Sequence, residues 1–265
     1  MRIIAGEFRH RTLLSPPDSE TSRPIPDRVK ESLFSLLRGH FEGAAVFEGF
    51  AGVGTIGLEC LSRGAERVVM VEQDRRVAEL LKRNVATLEC EDRCDVVVGD
   101  ALGMGALARS PRPLHLAFLD PPYPLVQEEI GFSRVMAQLS RLIELLDDTG
   151  YAVVRTPWPL RFEVGKVVAM PAAVAPRRFK KKGKERDRWK RELRRATPER
   201  RPEPVELTEA EIEAAMAGEA PSAVDEGAPA KPEFKLADMT LANAVGPETH
   251  EYRGMAVHLY MKKKA

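Results

Sequence analysis

No apolar run in this chain approaches the roughly 18–20 residues that a membrane-crossing helix needs, so the sequence gives no expectation of a transmembrane span. The opening residues, Met1-Arg2-Ile3-Ile4-Ala5-Gly6, lack a signal-peptide pattern, and the chain is expected in the cytoplasm. Cysteine is scarce. Cys60, Cys90 and Cys94 are the three present, and they give no paired disulfide framework, which suits a reducing compartment. Cys90 and Cys94 have the spacing of half a metal site, but no second Cys/His pair follows, so no metal is expected. The chain also lacks the Gly-Lys-Ser/Thr of a phosphate-binding loop and the GxGxxG of dinucleotide enzymes. Net charge is nearly absent, at +1 over 265 residues.

That small net charge is an average over strongly charged blocks. Residues 1–38 are basic, with Arg2, Arg9, His10, Arg11, Arg23, Arg28, Lys30 and Arg38. Residues 177–201 carry 14 Lys/Arg against 4 Asp/Glu, and residues 202–233 carry 9 Asp/Glu against one Lys. Such blocks act as local fields. Hydrophobic residues make up 43% of the chain, ordinary for a globular protein with a sizeable core.

Residues 2–14 alternate weakly and read as a small hairpin or arm, punctuated by Ser15-Pro16-Pro17-Asp18 and Arg23-Pro24-Ile25-Pro26. Asp27 is the expected N-cap of a helix over 28–38, with Val29, Leu33, Phe34 and Leu37 on its apolar face. From residue 44 strands and helices alternate. Strands are expected at 45–50, 67–71, 95–98, 114–119 and 151–155. Helices are expected at 52–63, 75–88 and from Phe132 to a stop at Gly150. This alternation predicts an α/β fold with a doubly wound, mostly parallel sheet. A sixth strand is expected at 164–169 and a seventh at 255–260. Between them, residues 176–245 read as a charged insertion into the closing hairpin, because their large apolar residues are too few to bury much surface. The domain boundaries that follow are 1–40 for a basic extension, 41–175 with 246–265 for the sheet domain, and 176–245 for the insertion.

In an open α/β sheet, ligands sit beyond the carboxyl ends of the strands. Here four ends carry distinctive groups. The first runs Glu48-Gly49-Phe50-Ala51-Gly52-Val53-Gly54, where glycines let a ligand approach the backbone. The second ends in Glu72, whose carboxylate suits vicinal ribose hydroxyls or else caps the next helix. The third ends in Gly99-Asp100, an acceptor suited to an exocyclic adenine amine. The fourth ends in Asp120-Pro121-Pro122-Tyr123, which delivers a carboxylate, a rigid carbonyl and a flat ring to one point. Those three groups can hold a planar amine and orient its lone pair.

This set resembles the class I S-adenosylmethionine-dependent methyltransferases. Phe50-Ala51-Gly52-Val53-Gly54 is similar to their first motif, and Asp120-Pro121-Pro122-Tyr123 to the signature of those that methylate planar amines. The segments 2–11, 23–34 and 57–65 are similar to the RsmD family, whose members methylate N2 of a guanine in bacterial small-subunit ribosomal RNA. The likeness covers roughly residues 1–170 and the last 15 or so, not the charged insertion. It implies a Rossmann-like, seven-stranded sheet with an N-terminal basic extension. It implies S-adenosylmethionine contacts from Glu48, Phe50, Ala51, Gly52 and Gly54, and from Glu72, Gln73, Asp100, Ala101 and Asp120. It implies Asp120, Pro121, Pro122 and Tyr123 as the catalytic group. Arg9, His10, Arg11, Arg23, Arg28 and Lys30 are then expected on RNA phosphates, with ribosomal RNA or the small-subunit particle as partner and a monomeric enzyme. Three positions depart from the family pattern: Glu48 stands where Asp is usual, Ala5 where a second Gly is usual, and Tyr123 where Phe is commoner. The residues themselves leave other readings open: a DNA adenine- or cytosine-amine methyltransferase, a protein glutamine methyltransferase, or an RNA-binding assembly factor without catalysis.

Overall fold

The computed structural model describes residues 1–16, 25–163 and 234–264, all within one compact unit, Met1–Lys166 with Glu233–Ala265. Arg23, the expected strand at 164–169 and residues 176–233 of the expected insertion lie outside the described residues.

Seven strands make one sheet: β1 (Ala45–Gly49), β2 (Arg67–Glu72), β3 (Cys94–Val98), β4 (Leu114–Leu119), β5 (Leu146–Pro157), β8 (Ala244–Tyr252) and β9 (Met255–Lys262). Their order is β3-β2-β1-β4-β5-β9-β8. The first five are parallel and the last two join antiparallel. Strand order reverses between β2 and β4 on either side of β1, which opens the crevice where α/β sheets take ligands. This is the mostly parallel, seven-stranded Rossmann-like sheet that the sequence pattern and the resemblance lead one to expect.

Successive side chains point to opposite faces, and both faces are covered. Val46, Val68, Met70, Leu116, Phe118 and Val153 pack under α1 (Asp27–Leu36), α2 (Gly57–Ser62) and α3 (Arg75–Thr87). Phe47, Val69, Val71, Ala117, Leu119 and Val154 pack under α4 (Met104–Arg109) and α6 (Glu129–Leu145). Burial on both faces explains why the central strands read as continuous apolar runs. The parity also decides where the exceptions go. Glu48, Asp120 and Arg155 continue the alternation that points Val46, Phe118 and Val153 toward α1 and α2, and so fall on that face.

Several boundaries differ from expectation. The cap of α1 is Pro26, whose carbonyl accepts from the Val29 and Lys30 amides; Asp27 makes no capping bond and sits in the first turn. Residues 52–56 are turn rather than helix, because Gly52 (φ 57°) and Gly54 (φ 86°) hold left-handed backbone that a helix cannot contain. The long helix stops at Leu145, and β5 begins at once, at Leu146. Gly150 lies within that strand, and a Cβ there would meet the His115 carbonyl oxygen at 2.5 Å.

The largest difference lies at the C-terminal side. The strand that hairpins with β9 is β8, and it begins inside the stretch read as insertion. Residues 234–243 belong to the fold too. β7 (Phe234–Leu236) pairs with β6 (Arg161–Glu163). Met239 is buried, and its carbonyl accepts from Tyr260 Oη at 2.7 Å. Asn243 Nδ2 donates to the Ser140 carbonyl of α6. The composition of 234–252 is polar because β8 is an edge strand, mostly solvated, so no apolar run marks it.

Candidate active site

Backbone hydrogen bonds tie the four strand ends together. Asp120 N–H donates to the Gly49 carbonyl at 3.4 Å, Ala51 N–H to the Val71 carbonyl at 2.9 Å and Gly99 N–H to the Glu72 carbonyl at 3.0 Å. In register, Gly49 stands between Val71 and Leu119. The glycine turn, Glu72, Gly99-Asp100 and Asp120-Pro121-Pro122-Tyr123 therefore lie along one edge of the sheet.

The turn is shaped to leave its backbone accessible. Phe50 holds φ 61°, a left-handed conformation uncommon outside glycine. A Cβ added at Gly52 would meet nothing within 4 Å, and the same holds at Gly99. Both glycines thus border open space at the strand edge. Gly54 instead faces inward, where a Cβ would press on Leu81 Cδ1 at 2.5 Å. Ala51 is buried beside the turn.

Glu72 holds the turn in place. Its Oε2 accepts from Gly52 N–H at 2.8 Å and its Oε1 from Asp74 N–H at 2.8 Å. The helix cap that Glu72 might have supplied comes from Asp74, which accepts from the Arg76 and Val77 amides. Burial pushes the Glu72 carboxyl up, against the Asp74, Gly52 and Gln73 amides that lower it. A carboxylate has about four lone-pair sites, so Glu72 keeps capacity for another donor.

Glu48 lies beneath the turn. It is buried, and its Oε2 accepts from Gly57 N–H at 2.9 Å at the start of α2. A Cβ at residue 57 would stand 2.6 Å from that oxygen, so glycine makes the bond possible. Burial first, then the negative charges of Asp120 and Glu72, push the Glu48 carboxyl up to about 8. Glu48 is thus a buried group beneath the turn that holds its proton at neutral pH.

Asp120 carries the feature that the sequence did not reveal. Arg155 on β5 grips it with two bonds, Nε to Oδ1 at 2.6 Å and Nη2 to Oδ2 at 3.0 Å. Their side chains are only 8% and 19% exposed. Apolar side chains of Leu33, Ile56, Phe118, Val153 and Val257 surround the pair. Burial pushes the Asp120 carboxyl up, and Arg155 opposes that shift. Pro121 is buried and Pro122 exposed. Half-buried Tyr123 opens α5 (Tyr123–Val126), its ring centroid 5.5 Å from Arg155 Cζ. Arg155 does leave a trace in the sequence: a lone cation ending the apolar run of Tyr151-Ala152-Val153-Val154.

At the third strand end, Asp100 is exposed. Its Oδ1 accepts from Leu102 N–H at 2.9 Å, and its Oδ2 lies 3.3 Å from Arg134 Nη2. Gln73 is exposed at the edge, whereas Ala101 turns its methyl into the core and gives its carbonyl to Gln138 Nε2.

The N-terminal residues form the expected arm, with Arg2 bridged to Thr12. Arg9, His10, Arg11 and Arg28 are exposed, and Arg11 Nη2 also donates to the Thr87 carbonyl at 2.8 Å. Lys30 is a correction. It is 2% exposed, its Nζ lies 3.3 Å from Glu59 Oε2, and it donates to the Arg2 carbonyl at 2.9 Å. A buried ammonium in such a pair is not offered to phosphates. Glu59, fully buried, also accepts from the Ile4 and Ala5 amides and pairs with Arg63, so it anchors the arm to α2. Among the described residues no cluster of three or more His, Cys, Asp or Glu is arranged to hold a metal ion, and no helix is long and apolar enough to cross a membrane.

Residues 1–164 match the family model described as "Conserved hypothetical protein 95". The chain is 40% identical over 124 residues to "Ribosomal RNA small subunit methyltransferase D" of Haemophilus influenzae; the match spans 46% of this chain and 64% of that protein, just under two thirds. It is 39% identical over 151 residues to the protein of the same name from Escherichia coli, spanning 57% of this chain and 69% of that one. A solved Escherichia coli structure, described as a candidate methyltransferase named yhhF, superposes with a TM-score of 0.57 at 22% identity, covering 99% of this chain and 98% of that chain. At that identity the superposition speaks for the fold alone.

Proposed function

The chain belongs to the conserved hypothetical protein 95 family, with proteins named "Ribosomal RNA small subunit methyltransferase D" among its relatives, and from that premise we propose that it methylates the N2 amine of a guanine in small-subunit ribosomal RNA. The observation that carries the proposal is the Asp120-Pro121-Pro122-Tyr123 clamp, set on the same strand edge as an open glycine turn braced by Glu72.

The residues present fit S-adenosylmethionine. Gly52 and Gly99 border open space where a nucleoside can lie against backbone. Glu72 keeps lone pairs for ribose hydroxyls, and Asp100 and Gln73 stand at the edge beyond it. When bound, S-adenosylmethionine supplies an electrophilic methyl group on a sulfonium.

The protein's own groups then act on the base. Asp120 and the Pro121 carbonyl accept the two amine hydrogens, which turns the nitrogen lone pair out of their plane. Tyr123 stacks on the base and fixes its plane. Holding two reactants in line contributes up to about 7–11 kcal/mol in favourable cases. Once the nitrogen is alkylated its proton is acidic, and an Asp120 oxygen is placed to take it, so a strong base is unnecessary. Arg9, His10, Arg11 and Arg28 supply exposed positive charge for the RNA backbone.

The test is nucleotide mapping of ribosomal RNA from a strain lacking the gene. One N2-methylguanine is expected to disappear and to return with the wild-type gene but not with Asp120→Ala. An unchanged ribosomal RNA pattern, with N6-methyladenine or N4-methylcytosine lost from DNA instead, would favour a DNA amine methyltransferase.

A further inference from the structure

We propose that Arg155 is a positioning residue for methyl transfer: its guanidinium fork fixes the Asp120 carboxylate as a rigid anionic acceptor, leaving one lone pair on each oxygen for the amine of the base. The inference rests on the methyl-transfer reading above and assigns a role that lies outside the Asp120-Pro121-Pro122-Tyr123 segment.

Register makes the pair. Phe118 lies opposite Val153 and Leu119 opposite Val154, so the next step sets Arg155 beside Asp120. The contact is bidentate, one nitrogen to each oxygen. A carboxylate has two lone pairs per oxygen, and the fork occupies one on each. A planar fork gives direction that a single ammonium does not. The same guanidinium lies 5.5 Å from the Tyr123 ring centroid, so one cation orders both the acceptor and the stacking ring.

The surroundings explain why a cation is needed. Leu33 of α1, Ile56 before α2 and Val257 of β9 present apolar surface to the pair. Among the described residues, ionisable neighbours include Glu48 on β1, which is itself pushed up partly by Asp120, and Tyr123 on α5. Without Arg155, the burial that already pushes the Asp120 carboxyl up would act unopposed, toward the protonated form. A protonated carboxyl would donate where the clamp must accept. Arg155 touches neither the base nor the donor in this account, and acts through Asp120.

The test compares Arg155→Met and Arg155→Lys with the wild-type enzyme on small-subunit particles. For Arg155→Met, the acid limb of the kcat/KM profile is expected to move up by about 1–3 pH units, the size of a close ion-pair effect. Activity on the plateau should fall about 10–100-fold through lost alignment. Arg155→Lys keeps the charge, so its acid limb should stay with the wild type while its plateau falls. Cofactor affinity, read by calorimetry, should stay within about threefold in both, well under one tenfold step of affinity. An NMR titration of the Asp120 carboxyl in the cofactor-free protein should show the same upward move for Arg155→Met, whatever the substrate proves to be. If Arg155→Met does not fold, Arg155→Gln, uncharged but still a donor, carries the same expectation. An acid limb and an Asp120 titration that both stay in place would overturn the proposal. A wild-type enzyme inactive on every amine would instead sink the methyl-transfer reading, with the NMR titration still deciding the Arg155–Asp120 coupling.

Discussion

Two carboxylates with cationic partners, Glu59 buried and Asp120 partly buried, lie on the same side of this sheet, and their settings differ. Glu59 is saturated: two backbone amides, Lys30 and Arg63 converge on it. Asp120 is gripped from one side by Arg155 and reaches the strand edge with lone pairs to spare. The first arrangement has no capacity for a further donor and fastens the N-terminal arm to α2. The second keeps acceptor capacity where an amine can arrive. What separates the two is residual hydrogen-bonding capacity, on which the proposed role of Asp120 depends, since cationic pairing is common to both.

The comparison breaks most sharply at Asp120. Asp120→Ala is expected to lower methyl transfer by about 100–10,000-fold, with cofactor affinity retained in calorimetry. A variant with near wild-type turnover would remove Asp120 from the chemistry. Lys30→Met attacks the other side of the comparison. Leaving Glu59 buried without one of its cations should cost about 3–5 kcal/mol of stability, read by urea denaturation. A loss under about 1 kcal/mol, the range of an exposed pair, would show that Lys30 is more solvated than described.

Glu48→Gln sharpens the account by pH. The Glu48 carboxyl is pushed from its ordinary 4.5 up to about 8, so the folded chain holds this proton more tightly than the unfolded chain. Its contribution to stability is fully present below about 4.5 and is lost as pH rises through about 8. Glutamine still accepts from Gly57 N–H and does not ionise. The variant should therefore match the wild type in acid and exceed it in Tm at alkaline pH. Parallel Tm curves across the range would contradict the buried, proton-holding Glu48. The smallest effect is expected at Arg9. Arg9→Ala should reduce the salt slope of RNA binding by about 0.7–0.9, with no change in the base selected. An unchanged slope would take Arg9 off the RNA.

Much of this was readable in the chain. Val68–Val71 and Leu116–Leu119 announced buried parallel strands, and the acids and glycines at their ends announced the site edge. What was not readable depended on register. Asp120 and Arg155 are separated by 35 positions, and only the β4–β5 pairing makes them neighbours. Lys30 is buried rather than offered to phosphates, and its spacing holds the signal: 30, 33, 34 and 37 form one helical stripe, three of whose members are Leu33, Phe34 and Leu37. β8 was missed because its polar edge residues carry no apolar pattern, and 234–243 because their anchors on Tyr260 and α6 are distant in sequence.

The most direct test of the central claim is the chemical position of the transferred methyl. Small-subunit particles from the deletion strain would be incubated with purified enzyme and methyl-labelled S-adenosylmethionine, and the RNA digested to nucleosides for mass spectrometry. The account predicts label in N2-methylguanosine, absent with Asp120→Ala. Label in any other nucleoside, or equal label with Asp120→Ala, would contradict it.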